Sequence, residues 1–203
     1  AAIGDPGSLD TLVANPTTNQ VYLNRYGVPL RILDGNTNTI GGNIPQSEGD
    51  GIALNPANHQ LLVAGTSLKV LSTLNNTIVN RTILRRGPTK VALASTSNQL
   101  YVLNQFEGGT VIDTQTHAVQ ETVAFGGKSE IAVQAVTGRV YSVSDSQVPG
   151  EPGKLFVFDP TTNMTTTINV LDGQTASYLN CVAVNSMTNR VYVGGNRLFV
   201  IDG

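Results

Sequence analysis

Short apolar runs alternate with clusters of Asn, Thr, Pro and Gly along the whole chain, and no longer segment keeps the 3.6-residue period of an amphipathic helix. One phrase recurs five times: an apolar run, a turn rich in Asn and Thr, and a second run that alternates around a Val-Tyr or Leu-Tyr pair. It begins at residues 12, 52, 91, 131 and 182, so the steps are 40, 39, 40 and 51 residues. The chain is therefore an internal repeat, with an insertion in the last step.

Each copy predicts four short strands. The first two strands are the runs of the phrase, and the third is an apolar run such as residues 155–159. The fourth is a weaker, Thr-rich strand such as residues 80–84 or 165–168. The turn residues between the runs favour hairpins.

Four antiparallel strands in about 40 residues are typical of one β-propeller blade. A lone blade has two apolar faces that it cannot bury, so blades stack side by side. We therefore expect an all-β fold in which residues 1–203 form a single β-propeller domain of five blades, with almost no helix.

Two segments carry a resemblance to a known family. The run Asn-Pro-Thr-Thr-Asn-Gln-Val-Tyr at 15–22 and the run Thr-Asn-Arg-Val-Tyr-Val at 188–193 resemble the YVTN-type β-propeller repeat. The second copy departs from it with Leu62 in place of the tyrosine, and the third with Ser95 in place of the proline. The resemblance implies a propeller, and it is compatible with surface proteins, lyases, lactonases and quinone-linked dehydrogenases.

The ends of the chain raise the question of ring closure. The fifth copy stops at Asp202 and Gly203, directly after its third strand. The segment Ala1–Pro6 falls where the end of a fourth strand would fall, so we expect the chain ends to pair and close a five-bladed ring, which removes exposed sheet edges. The alternative is that the chain is a piece of a larger propeller, because members of the resembling family often have seven blades.

Composition excludes several function classes. The chain has 12 Lys and Arg against 14 Asp and Glu, and charged residues make up 13% of it, so we expect no nucleic-acid partner. Its apolar runs are too short to span a membrane. A single cysteine excludes an internal disulfide. Low charge, abundant Thr and Asn and one unpaired cysteine favour an extracellular, periplasmic or cell-surface location. We expect a monomer.

Short oxygen-bearing side chains stand two positions before each copy of the phrase, where they predict a polar ring at one end of the propeller. They are Asp10, Asp50, Thr89, Ser129 and Asn180. The loops between second and third strands add the aromatic residues Tyr26 and Phe106, and the insertion at 145–154 should overhang the same face. The same polar side chains can also serve only to cap the turns that lead into the strands.

A hydrogen-bonding ring without a nucleophile favours recognition over turnover. We therefore expect a non-catalytic binding or scaffold domain whose ligand is a glycan or a protein, with no catalytic residue and no required cofactor. The alternative is a metal-dependent enzyme of the lyase or lactonase type, in which Asp10, Asp50 and Glu130 hold calcium or magnesium. A third possibility is a structural module that only spaces its neighbours. His59 and His117 fall in turns away from the predicted pocket, where a general base would have no cleft.

Overall fold

The computed structural model describes residues 9–84, 87–104, 108–123, 126–127, 129–146, 151–170 and 178–203. The chain divides into two compact units, Ala1–Val91 and Ala92–Gly203. All described strands belong to five antiparallel sheets, whose strand order follows the sequence, and each sheet is one predicted blade.

The first unit contains blades one and two. Blade one consists of β1 (Thr11–Asn15), β2 (Gln20–Asn24), β3 (Arg31–Asp34) and β4 (Thr39–Asn43). Blade two consists of β5 (Gly51–Asn55), β6 (Gln60–Ala64), β7 (Ser67–Ser72) and β8 (Thr77–Ile83). A single turn of 3₁₀ helix, Pro56–Asn58, joins β5 to β6.

Blades three, four and five follow. Blade three consists of β9 (Pro88–Ala94), which crosses the boundary of the two units, β10 (Gln99–Asn104), β11 (Gly109–Asp113) and β12 (Val119–Val123). Blade four consists of β13 (Glu130–Val133), β14 (Val140–Ser144), β15 (Gly153–Asp159) and β16 (Met164–Val170). Blade five consists of β17 (Leu179–Asn185), β18 (Arg190–Gly195) and β19 (Leu198–Asp202).

The turn between the first two strands of each blade has a left-handed residue at the same repeat position. These residues are Asn19 (φ 51°), His59 (φ 52°), Asn98 (φ 54°), Gly138 (φ 74°) and Asn189 (φ 50°). Asn and Gly enter this region at lower cost than other residues, which explains why they recur there. The predicted position of His59 in the turn is confirmed.

Within each unit, one face of a blade packs against the opposite face of the next blade. We call the face that carries Tyr22, Tyr101, Tyr141 or Tyr192, or Leu62 in blade two, the tyrosine face. In the first unit, the tyrosine face of blade one packs against the opposite face of blade two, which contributes Ile52, Leu61 and Val63 among other residues.

The same stacking recurs in the second unit. The tyrosine face of blade three packs on blade four, where the rings of Tyr101 and Phe158 meet edge to face with centroids 6.2 Å apart. The tyrosine face of blade four packs on Val182, Val191 and Val193 of blade five. Where blades stack within a unit, the apolar faces that meet are buried, as predicted for blades that cannot bury them alone.

The prediction of an all-β propeller built from five blades is confirmed. Among the described residues, blade five has three strands, as expected from the point at which its copy stops. Ala1–Pro6, the predicted closing segment, lies outside the described residues, and so do residues 147–150 of the insertion. Closure by the chain ends and the single-domain organisation therefore stay predictions. Within the described residues, no helix has the length and apolar character needed to cross a bilayer.

Candidate functional site

Asp10 directly precedes β1 and holds the loop between β2 and β3. Its backbone N–H donates to Asn24 O at 3.0 Å, and its Oδ2 accepts a hydrogen bond from the backbone N–H of Tyr26 at 2.6 Å. The carboxylate therefore caps a backbone turn. It also fixes the segment that presents the Tyr26 side chain, which is 73% exposed.

Asp50 occupies the same position before β5. Its backbone N–H donates to Ala64 O at 2.6 Å, and the residue is partly buried. Burial raises the pKa of Asp50, and the nearby Asp10 carboxylate raises it further, while Lys90 and Lys69 lower it. Two of the predicted polar positions therefore lie close enough to interact electrostatically.

Thr89 and Lys90 lie in β9, where the chain passes close to the start of β5. A Cβ added at Gly51 would lie 3.0 Å from Thr89 O and 3.1 Å from Lys90 Cα. A side chain at position 51 would crowd this approach. The first unit thus gathers three of the predicted polar residues, Asp10, Asp50 and Thr89, with Lys90 beside them.

A buried lysine next to this cluster was not predicted. Lys69 in β7 is 4% exposed, lies 3.7 Å from Glu48 Oε2, and donates a hydrogen bond to the backbone carbonyl of Glu48. Burial lowers the pKa of Lys69, and Glu48 and Asp50 partly offset this. The sequence feature that could have indicated Lys69 is a charged residue inside an apolar third strand. Arg31 occupies the same repeat position in blade one.

The remaining predicted residues belong to the second unit. Ser129 donates its backbone N–H to Val143 O at 3.1 Å, and Asn180 is exposed in β17. Glu130 Oε1 accepts a hydrogen bond from the backbone N–H of Ile131 at 3.1 Å. Phe106 lies outside the described residues.

The metal set of Asp10, Asp50 and Glu130 stays a prediction. In the part of the chain that the structure describes, no three His, Cys, Asp or Glu side chains are grouped so that they could hold a metal ion. The polar residues of the first unit suit hydrogen bonding to a ligand, since they combine two carboxylates, a threonine and a lysine.

Several solved structures share the architecture. The chain matches hydrazine synthase from Kuenenia stuttgartiensis with a TM-score of 0.75 and 13% identity, covering 91% of this chain and 55% of that one. It matches the β-propeller domain of Cps50 (Swd1) from Myceliophteria thermophila with a TM-score of 0.73 and 11% identity, covering 94% of this chain and 63% of that one. The chain is a β-propeller. A third match, U3-55K, has a TM-score of 0.79 and 12% identity, with 97% of this propeller and 62% of that chain covered.

This likeness establishes the fold alone, because identities this low occur among propellers of unrelated function. The propeller spans 55% to 63% of the length of the three structures it matches. No family model matches the sequence, so membership of the YVTN repeat family stays a prediction. No curated protein matches it either.

Proposed function

We propose that this β-propeller is a non-catalytic binding domain of an exported or cell-surface protein, and that it recognises a glycan or a protein on its first unit. The observation that carries the proposal is the pair formed by Asp10 and Tyr26. The carboxylate accepts the Tyr26 backbone N–H at 2.6 Å, while the tyrosine ring remains 73% exposed. An aromatic side chain on a fixed loop is pre-organised for binding.

The chemistry around Tyr26 suits a polyhydroxylated ligand best. The ring offers an apolar surface to the C–H face of a sugar, and its hydroxyl can both donate and accept. Carboxylates such as Asp50 accept hydrogen bonds from sugar hydroxyls, and Lys90 can donate them.

A glycan array probed with the labelled chain tests the proposal. We expect binding to a discrete set of sugars, with binding lost in Tyr26→Ala and weakened in Asp50→Asn. Tyr178→Ala is the matched control, because Tyr178 is also a highly exposed tyrosine, at 54%, and lies in the second unit. If Tyr178→Ala reduces binding as much as Tyr26→Ala does, the proposed site is wrong.

The metal-dependent alternative has its own measurement. Calcium or magnesium should raise the melting temperature above that of a chelator-treated sample if Asp10, Asp50 and Glu130 hold an ion. An unchanged melting temperature favours the non-catalytic proposal. The proposal that the protein is exported or at the cell surface has a separate test. The open reading frame that encodes this chain should also encode a secretion signal or a surface anchor.

A further inference from the structure

The connector between blade one and blade two, residues 44–50, leads from the end of β4 to the start of β5 and ends with Asp50. It is attached to the blades at both ends. The Ile44 N–H donates to Leu30 O of blade one at 2.8 Å, and the Asp50 N–H donates to Ala64 O of blade two at 2.6 Å. The direction in which the Asp50 carboxylate points therefore depends on how the middle of the connector is held.

Lys69 attaches the middle of the connector to blade two. Its Nζ donates a hydrogen bond to the backbone carbonyl of Glu48 and lies 3.7 Å from Glu48 Oε2. Lys69 lies opposite Val63, which packs with Tyr22 of blade one, so the lysine stem is on the face of blade two that meets blade one. With 4% exposure, this charged side chain needs the two contacts with Glu48 to offset its loss of hydration.

Other charged groups surround the Lys69 ammonium group. Glu48 and Asp50 of the connector attract it, whereas Arg81 of β8, which pairs with Lys69 across the strands, repels it. The Arg81 side chain donates instead to Gln46 Oε1 at 2.5 Å, at the exposed side of the same connector. Of these two cations, Lys69 is therefore the one that holds the connector backbone.

Blade four holds its preceding connector by a different chemistry. The Ser142 hydroxyl donates a hydrogen bond to the backbone carbonyl of Gly126. The Phe156 ring lies so close that a Cβ added at Gly126 would clash with it. Phe156 holds the repeat position of Lys69, because Ser142 and Val63 are the respective residues opposite them in the second strands. A side chain of the blade thus holds a connector carbonyl in both cases.

In both blades the anchored carbonyl comes just before a predicted polar position. Glu48 precedes Asp50 by two residues, and Gly126 precedes Ser129 by three. Ser129 then donates its backbone N–H to Val143 O, as Asp50 does to the end of its own second strand. The attachment recurs with different residue types, which indicates that it serves to place the residue that follows.

We propose that Lys69 is a positioning residue of the binding site on the first unit: it anchors the Glu48 carbonyl and thereby fixes the direction in which Asp50 presents its carboxylate to the ligand. This role rests on the function proposed above. An anchor is needed because the Asp10 carboxylate lies close enough to repel Asp50. A side chain that is held before the ligand arrives loses less entropy on binding.

Lys69→Met tests the anchor, since it keeps an unbranched apolar stem and removes the ammonium group. We expect the affinity for a sugar identified on the glycan array to fall about tenfold or more, because a hydrogen bond from a charged donor is lost. Lys69→Arg keeps a charged donor, and blade one accepts Arg31 at the same repeat position. It should bind more tightly than Lys69→Met, and equal affinities of the two variants would overturn the proposal.

Arg81→Met is the matched control. It removes the neighbouring cation, which contacts the same connector only through the Gln46 side chain. The affinity should stay within about twofold of that of the parent protein. A loss as large as that in Lys69→Met would show that positive charge in general, rather than the anchor, supports binding, and it would also overturn the proposal.

Hydrogen exchange of the ligand-free protein is a second readout. In Lys69→Met, the Asp50 amide should exchange about tenfold faster or more, because its segment is held less firmly. The Ser129 amide, which makes the equivalent hydrogen bond in blade four, should keep its parent rate. An unchanged Asp50 rate, or equal acceleration of both amides, would overturn the anchor.

The two proposals fail in different ways. If the parent protein binds no sugar, the proposed function is wrong, and the role of Lys69 in binding is wrong with it. If the parent protein binds and Lys69→Met binds equally well, the proposed function stands and only the positioning role of Lys69 is wrong.

Discussion

The Tyr22 hydroxyl of blade one donates a hydrogen bond to Asn76 of blade two at 2.8 Å, across 54 residues of sequence. Tyr141 holds the same repeat position in blade four and is buried to the same degree, at 2% exposure against 0% for Tyr22. Its hydroxyl donates no such bond to a described residue, and the Arg139 side chain lies beside it. Two residues that are equivalent in the repeat therefore have different energetic roles.

The two tyrosines should respond to different extents to loss of the hydroxyl. Tyr22→Phe removes a hydrogen bond and leaves Asn76 without its donor, so we expect the free energy of unfolding to fall by about 1 kcal/mol. Tyr141→Phe removes a buried hydroxyl that donates to no described residue and lies beside Arg139, so the free energy of unfolding should fall by less than it does in Tyr22→Phe. Urea unfolding followed by circular dichroism measures both, and a loss of about 1 kcal/mol in each variant would contradict the assignment.

The third strands offer a second comparison between equivalent residues. Val70 of blade two is 0% exposed, whereas Val200, at the same position of blade five, is 51% exposed. Val70→Ala should lower the free energy of unfolding by about 2 kcal/mol, because it removes two buried methyl groups and leaves a cavity. Val200→Ala should change it by less than about 0.5 kcal/mol. Similar losses in thermal or urea unfolding would show that the tyrosine face of blade five is covered in solution.

The pKa of Asp50 predicts a pH-dependent effect. Its pKa lies above the ordinary value of 3.8, mainly because of burial and then because of Asp10, so the native state holds this proton more tightly than the unfolded chain does. The parent protein therefore loses stability as the pH rises from the unfolded-state pKa of Asp50 through its higher native-state pKa. The difference in unfolding free energy, Asp50→Asn minus parent, should increase from pH 3 to pH 7.

Asp159 supplies the control of opposite sign. The hydroxyl and the backbone N–H of Thr161, together with Arg139, hold the pKa of Asp159 below its ordinary value. Ionised Asp159 therefore stabilises the native state at a pH above its unfolded-state pKa. This stability is lost as the pH falls through its lower native-state pKa. The unfolding free energy of Asp159→Asn minus that of the parent protein should decrease from pH 3 to pH 7. A common direction for the two variants would show that the electrostatic argument is wrong.

The neighbouring placement of Asp10 and Asp50 could be predicted from the repeat. Asp10 and Asp50 share a register position before the first strand of their blades, and they lie close enough to interact in the folded chain. The sequence left open whether such residues bind a ligand or cap a turn, and Asp10 does cap one, through Tyr26. Lys69 was missed because its partners Glu48 and Asp50 come from a different strand connection, about twenty residues earlier.

The sequence by itself determined the blades, since strand alternation, turn residues and the left-handed positions at Asn19 and His59 depend on local chemistry that each copy carries within it. Only the tertiary structure decided which equivalent residues are covered and which hydroxyls are satisfied. Tyr22 and Tyr141 look the same in the repeat. What separates them is the strand that follows in the neighbouring blade, present as β8 beside blade one and absent from the described part of blade five. Burial and hydrogen-bond partners come from residues distant in sequence, so no local pattern encodes them.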